Sequence, residues 1–145
     1  MPHHTKDKGD QGLGQIIAAL LSNGIQVALP ISEHLPFDCI AVSPEGRLCR
    51  LSVKYRTAKN GVVAVRYRSS WADRHGVHTK SHDMTSYDAT AIYCPDFGGC
   101  YFVRNDEVTA GMVTLRVEPP KKHGWQEGIR SAGDFVDPRR LFSNL

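Results

Sequence analysis

The sequence lacks any long apolar run. No stretch among its 145 residues reaches the roughly 20 apolar residues that a membrane-spanning helix needs. The first fifteen residues are polar and lack the apolar core of a secretory signal, so we expect an intracellular protein with no membrane partner. The length and the 41% hydrophobic content predict one folded domain over residues 1–145.

Cysteine is also scarce. The four cysteines, Cys39, Cys49, Cys94 and Cys100, are too few for a disulfide scaffold in a chain of this size. Strand alternation predicts that Cys39 and Cys49 are buried thiols. A zinc site at Cys94 and Cys100 would need two further ligands at metal spacing, and the neighbouring sequence offers none.

Acidic residues are almost absent from residues 47–80. This segment carries nine Lys or Arg residues and one acid, Asp73, whereas the rest of the chain carries nine Lys or Arg residues and fourteen acids. A solvated charged face usually mixes both signs. The separation therefore favours a surface that binds a polyanion such as nucleic acid.

Hydrophobic periodicity predicts one helix followed by several strands. An apolar stripe of helical spacing predicts a helix over residues 10–23, which Asn23-Gly24 ends. Alternating runs bounded by turn residues predict strands at 25–29, 37–42, 48–56, 62–68, 89–93, 101–104 and 112–117. This order indicates an α+β domain with one central mixed β-sheet flanked by helices.

Three segments lack such patterns. We expect residues 1–8 to be a flexible polar lead and residues 69–86 to be a long surface loop, of the kind that is often functional. Residues 118–145 are expected to form a C-terminal extension of the same domain. Within it, Asp137 is predicted to cap a short helix that begins at Pro138.

The predicted hairpin at residues 37–56 carries the strongest candidate site. Asp38 lies on its first strand and Lys54 on its second, so the two side chains can meet. Asp38 would bind a hard divalent cation, and Lys54 would steady a scissile phosphate or its attacking water. An ordinary amphipathic hairpin is the alternative, because alternation places Arg50, Ser52, Lys54 and Arg56 together on one basic face.

Four segments together resemble the PD-(D/E)XK nucleases, and specifically the homing endonucleases encoded in bacterial group I introns. These are KGD at residues 8–10, EHLPFD at 33–38, LSVKYR at 51–56 and SSWADRHG at 69–76. The resemblance implies a restriction-endonuclease-like fold with extra β-hairpins for DNA contact. It also implies a cytoplasmic bacterial homo-oligomer, a dimer or tetramer, that hydrolyses double-stranded DNA with Mg²⁺ and no small-molecule cofactor.

The resemblance also implies individual roles. Asp38 matches the motif aspartate, which is the main metal ligand, and Lys54 matches the motif lysine. Val53 matches the position whose backbone carbonyl often completes the metal shell. Asp10 matches an acid that the family carries on its first helix, where it helps to hold metal or water; its structural alternative is to stabilise the start of that helix. One or two Mg²⁺ ions per site are expected.

Ser52 departs from the family pattern, which usually has Glu or Asp there and in some members Gln. Serine could hold a metal-bound water but is a poor direct ligand. We therefore count Ser52 among the catalytic candidates and keep three functions open. These are a homing endonuclease, a Holliday-junction resolvase that recognises branched shape, and a catalytically weak DNA-binding protein on the same fold.

Basic residues beyond this hairpin are the candidates for DNA contact. Most would contact phosphate groups, and an arginine on a strand or loop can read guanine in the major groove. Pro95-Asp96 looks like the first half of the nuclease motif, but no acid-x-lysine follows it at hairpin distance. The candidates for DNA contact are Arg50, Arg56, Arg66, Arg68, Arg74, His75, His78 and Lys80.

Overall fold

A computed structural model describes residues 4–81, 83–118 and 129–143, and only the backbone of residues 68–70 and 81. Helix α1 spans His4–Ser22 and is followed by strands and three short 3₁₀ helices. The strands are β1 Gln26–Ala28, β2 Cys39–Val42, β3 Leu48–Tyr55, β4 Val62–Arg66, β5 Arg68–Asp73, β6 Gly76–Ser81, β7 Ala89–Cys94, β8 Gly99–Arg104, β9 Met112–Arg116 and β10 Arg130–Ser131. The 3₁₀ helices are Asn105–Glu107, Ala132–Phe135 and Pro138–Phe142.

The main sheet has five strands in the order β1-β2-β3-β7-β8. Strands β3 and β7 are parallel, and the other neighbours are antiparallel, so the sheet is mixed. The predicted α+β class with a central mixed sheet is therefore confirmed. Helix α1 buries Ile16 and Leu20 against one face of this sheet, together with Cys39, Cys49 and Leu51.

The other face of the main sheet is covered by a second sheet rather than by a long helix. This sheet has three strands in the order β10-β9-β4. Val63 and Val65 of β4 pack in one buried cluster with Ile92 and Val103 of the main sheet. Phe135 joins the same cluster, so part of the predicted C-terminal extension belongs to the core.

The prediction of a loop at residues 69–86 is wrong, because most of this segment forms the β5–β6 hairpin. Strands β5 and β6 pair only with each other among the described residues, and Gly76 turns the chain with a φ of 117°. Trp71 is 49% exposed and Val77 78% exposed. The described side chains of the hairpin are exposed or half-buried, so no buried face imposes an apolar alternation on them, and the sequence reads as a loop.

Two predicted boundaries also need correction. Helix α1 begins at His4, so the described part of the predicted flexible lead is helical and Asp10 lies inside the helix. Residues 4–10 are all exposed, which is why no apolar stripe marks this first part. The strand predicted at 62–68 is divided at Tyr67, whose amide donates to the Gly111 carbonyl at 2.9 Å as the chain leaves the second sheet.

The predicted cap of the last helix is confirmed. The Asp137 side chain accepts a hydrogen bond from the Arg139 amide at 3.0 Å, and Pro138 occupies the first helical turn. In the part of the chain that the structure describes, no helix has the length and apolar character to cross a membrane.

The buried cysteines give a test of the hairpin register. Cys39 and Cys49 lie on the face of the main sheet that α1 covers, and burial raises the pKa of each thiol to about 12. We expect both to react with iodoacetamide at pH 8 at least about 100-fold more slowly in the native protein than in guanidinium, because the thiolate is the reactive form. Peptide mapping measures each site, and rapid native labelling of either cysteine would contradict the register.

Candidate active site

Asp38 is held against the backbone of β3. It lies one residue before β2, and its amide donates to the Leu51 carbonyl at 2.8 Å. Its carboxylate oxygen Oδ2 accepts a hydrogen bond from the Val53 amide at 2.7 Å. No hydrogen bond from the described residues reaches Oδ1, which can therefore accept another ligand. The structure thus brings the Asp38 carboxylate and the Val53 amide together, and fixes the carboxylate beside the residue that precedes Lys54.

Lys54 lies near the end of β3 with its side chain partly buried. Burial lowers the pKa of its ammonium group, the neighbouring Arg56 charge lowers it further, and the Asp38 carboxylate acts in the opposite direction. Asp38 and Lys54 therefore interact electrostatically. The site combines a hydrogen-bonded carboxylate with a cation that is easier to deprotonate than an exposed lysine.

Ser52 lies among buried hydroxyl groups. It is 7% exposed and lies opposite Thr90 in the parallel pairing of β3 with β7. The Tyr67 hydroxyl donates to Thr90 Oγ1 at 2.7 Å in the same buried region. Burial raises the pKa of Tyr67 to about 12, so this phenol stays protonated as a donor. A carboxylate at position 52 would need a cation or several donors here, whereas serine does not.

Sequence reasoning missed Tyr67 and Thr90 as neighbours of the site. Thr90 is the one polar side chain in Ala89–Cys94, whose other residues are apolar, aromatic or cysteine. A hydroxyl inside such a strand usually has a hydrogen-bond partner. That signal could have marked Thr90, but Tyr67 could not be assigned as its partner without the fold.

Asp10 does not join Asp38 in this structure. A Cβ added at Gly12 would lie 3.5 Å from Tyr55 Cβ, so Gly12 faces β3. Asp10 precedes Gly12 by two residues and is therefore rotated from it by about 200° around the helix. Asp10 is exposed, and no hydrogen bond or ion pair of the described residues connects it with Asp38.

Arg50 is paired within the protein. Its Nε and Nη2 contact the two carboxylate oxygens of Asp88 at 3.2 and 3.0 Å, and Nη2 also donates to the Thr85 carbonyl at 3.1 Å. These hydrogen bonds hold the pKa of Asp88 below its ordinary value. Such a bidentate pair occupies the guanidinium geometry that recognises phosphate, so Arg50 is the least available of the arginines predicted to contact DNA.

The remaining DNA candidates lie at two places. Arg56 follows β3 directly, next to the active site, and Arg66 is exposed at the end of β4. The β5–β6 hairpin carries the others. There His78 stacks on Trp71 with ring centroids 5.4 Å apart and contacts Asp73 at 3.0 Å. Arg74, His75 and Lys80 are exposed, whereas the side chain of Arg68 lies outside the described residues.

The sequence matches the family described as PD-(D/E)XK endonuclease over residues 3–137. The chain belongs to this endonuclease family. A solved structure of a bacterial homing endonuclease, I-Ssp6803I, has a similar fold, with a TM-score of 0.70 and 20% sequence identity. The similarity covers 97% of this chain and 93% of the other chain. No curated protein sequence matches the chain.

The residues around Asp38 fit the divalent metal that PD-(D/E)XK nucleases use. Mg²⁺ is commonly held by one or two carboxylates while it keeps several waters. Asp38 offers the carboxylate. The Val53 carbonyl belongs to the same residue whose amide donates to that carboxylate. Among the described residues, no three or more His, Cys, Asp or Glu side chains gather into a metal cluster.

We expect Lys54→Met to stabilise the fold at neutral pH. A lysine whose pKa is lowered in the folded state costs stability while it is charged. Between that lowered pKa and the ordinary lysine value, the native state loses the proton first, so the stability of the original chain rises with pH. The advantage of Lys54→Met should therefore shrink as pH rises.

Urea denaturation at pH 7 and at pH 10 measures this difference. Lys6→Met, at an exposed position of α1, is the matched control and should show no such pH-dependent advantage. An advantage of Lys54→Met that grows with pH would contradict the burial of the Lys54 ammonium group.

Proposed function

We propose that this endonuclease is a homing endonuclease that cuts double-stranded DNA at one long site with Mg²⁺. The observation that carries the proposal is the Asp38 carboxylate, fixed at Val53 and coupled to Lys54. The fold shared with I-Ssp6803I, a bacterial homing endonuclease by its title, supports the homing function. Because its substrate would be chromosomal DNA, we place the enzyme in the bacterial cytoplasm.

Asp38 and the Val53 carbonyl would hold the Mg²⁺ ion, which when bound would neutralise charge on the scissile phosphate. Lys54 would donate its ammonium protons to a phosphate oxygen or to the attacking water. Its lowered pKa keeps proton release accessible nearer to neutral pH. Ser52 would orient water through its hydroxyl group, and the Tyr67–Thr90 hydrogen bond would fix the strand beside it.

The β5–β6 hairpin is proposed as the element that binds in the major groove of the DNA. A two-stranded ribbon fits the major groove of B-DNA. The exposed Arg74, His75 and Lys80 would contact phosphates and base edges, with Arg66 near the base of the hairpin.

Since each chain carries one Asp38–Lys54 site and a duplex has two strands, we also propose that two or four copies act together.

Ser52 favours a second candidate, a DNA-binding protein that cuts weakly. Serine lacks the carboxylate or amide oxygen that the family pattern has at this position, and the residue is 7% exposed. Binding would then depend on the basic surface alone. The metal dependence of cleavage separates the two candidates, because binding to the basic surface needs no Mg²⁺.

Cleavage of a supercoiled plasmid library tests the function. We expect Mg²⁺-dependent breaks that cluster at one long, partly palindromic sequence when the ends are sequenced. Breaks that follow branched structures instead would support a Holliday-junction resolvase. Salt-sensitive binding without cleavage at any Mg²⁺ concentration would contradict the nuclease function of this chain.

Asp38→Asn and Lys54→Met should each reduce the cleavage rate on the mapped site at least about 100-fold, since each removes a group that contacts metal or phosphate. DNA binding should change much less. Asp7→Asn and Lys6→Met make the same changes at exposed positions of α1 and should cleave normally. Equal rates for active-site and control variants would show that the site lies elsewhere.

The Ser52→Asp variant tests the role of Ser52, the residue that departs from the family pattern. A carboxylate at this position would add a metal ligand beside Asp38, so we expect about tenfold tighter Mg²⁺ activation, measured as the Mg²⁺ concentration at half-maximal cleavage. Ser52→Ala is the control that removes the hydroxyl without adding charge. If both variants keep the original Mg²⁺ dependence and rate, position 52 does not face the metal.

A further inference from the structure

A cleft of about 330 Å³ lies beside the active site, between the first turns of α1, the β3–β4 turn and β4. We name it the basic cleft, because Lys8, Arg56 and Lys59 line it. Tyr55 and Ala64 are among its other lining residues. No acid lines it among the described residues, and no ion pair there involves any of the three cations. The described lining of the cleft therefore carries three cations and no acid.

Lys8 is placed in the cleft by the packing of α1. It precedes Gly12 by four residues, so both lie on the side of α1 that faces β3. Its ammonium nitrogen lies 6.0 Å from the centre of the Tyr55 ring. A cation near an aromatic face is weakly attracted to it. The sequence analysis did not place Lys8 beside β3, because residues 1–8 were predicted to be a flexible lead.

The opposite wall of the cleft is held in place by hydrogen bonds of the backbone. The Ala58 amide donates to Asp96 Oδ2 at 2.7 Å, which ties the segment after β3 to the turn after β7. Lys59 and Val62 exchange two backbone hydrogen bonds, at 2.9 and 3.0 Å, across Asn60-Gly61. Both turn residues have positive φ, as a type I′ turn requires. Lys59 therefore lies at the start of a hydrogen-bonded tight turn.

The basic cleft continues from the active site. The Arg56 amide donates to the Tyr93 carbonyl at 2.9 Å, so extended pairing continues past the end of β3. Arg56 and Lys54 therefore share a face, at about 6.7 Å along the strand. That spacing is comparable with the separation of successive phosphates along one DNA strand.

We propose that the basic cleft binds the phosphodiester next to the scissile one, with Lys8 and Lys59 as two contacts to which the sequence analysis assigned no role. This inference rests on the proposed function, because it needs a DNA strand lying across Lys54. The bound phosphate neutralises the three cations and fixes the register of the strand.

The salt dependence of DNA binding counts the contacts. Each phosphate neutralised by the protein contributes about −0.9 to the slope of log Kobs against log salt. With the mapped duplex and Ca²⁺ in place of Mg²⁺, the double variant Lys8→Ala/Lys59→Ala should show a slope smaller in magnitude by about one, and weaker binding by about tenfold at moderate salt. The charge-conserving variant Lys8→Arg/Lys59→Arg should bind like the original chain.

Lys6→Ala is the matched control, because it removes a lysine from α1 at a position about 200° from Lys8 around the helix. Its slope should equal that of the original chain. Methylphosphonate groups placed singly along each strand then locate the contact. The neutral linkage next to the cut should weaken binding of the original chain and leave the double variant unaffected.

The outcomes separate the two proposals. If the original chain binds DNA and the double variant has the same slope as Lys6→Ala, the cleft inference fails and the proposed function stands. If the double variant loses only the binding of inorganic phosphate, measured by calorimetry, the cleft is a free-phosphate site and the inference is overturned. If the original chain binds no DNA, both proposals fail.

Discussion

The hydrogen bond from the Val53 amide to the Asp38 carboxylate is the contact on which the site depends. Asp38 precedes β2, and this bond holds its side chain against β3 at 2.7 Å. A charged acceptor makes such a bond stronger than a bond between neutral groups. The position of Asp38 relative to Lys54 therefore follows from the register of the β2–β3 pairing, in which Cys39 lies opposite Leu51. A slip of β3 by one residue would turn Lys54 to the opposite face, away from Asp38.

The electrostatic character of the site comes from its two-sided burial. Helix α1 covers one face of β3, and the second sheet covers the main sheet from the other side, so Ser52 is buried and Lys54 is partly buried. Desolvation and Arg56 both disfavour the charge on Lys54, and one nearby carboxylate opposes them. In the proposed function, a phosphate bound at this place would supply negative charge beside Lys54.

The parts of the fold with an apolar alternation could be predicted from the sequence, and the exposed parts could not. The hairpin around Asp38 and Lys54 was predicted because Leu51 and its alternate neighbours must face a core. The β5–β6 hairpin and the first turns of α1 were missed because no core covers them. The Tyr67–Thr90 bond and the role of Asp96 depend on contacts between residues far apart in the chain, which periodicity does not reveal.

A crystal structure with the mapped DNA and Mn²⁺ tests the central claim most directly. Anomalous scattering locates the ion without reference to the expected ligands. The account predicts an ion about 2.1 Å from an Asp38 carboxylate oxygen and from the Val53 carbonyl, with Lys54 Nζ in hydrogen-bonding contact with the scissile phosphate or its water. An ion held by other residues, or a Lys54 side chain directed away from the DNA, would contradict it.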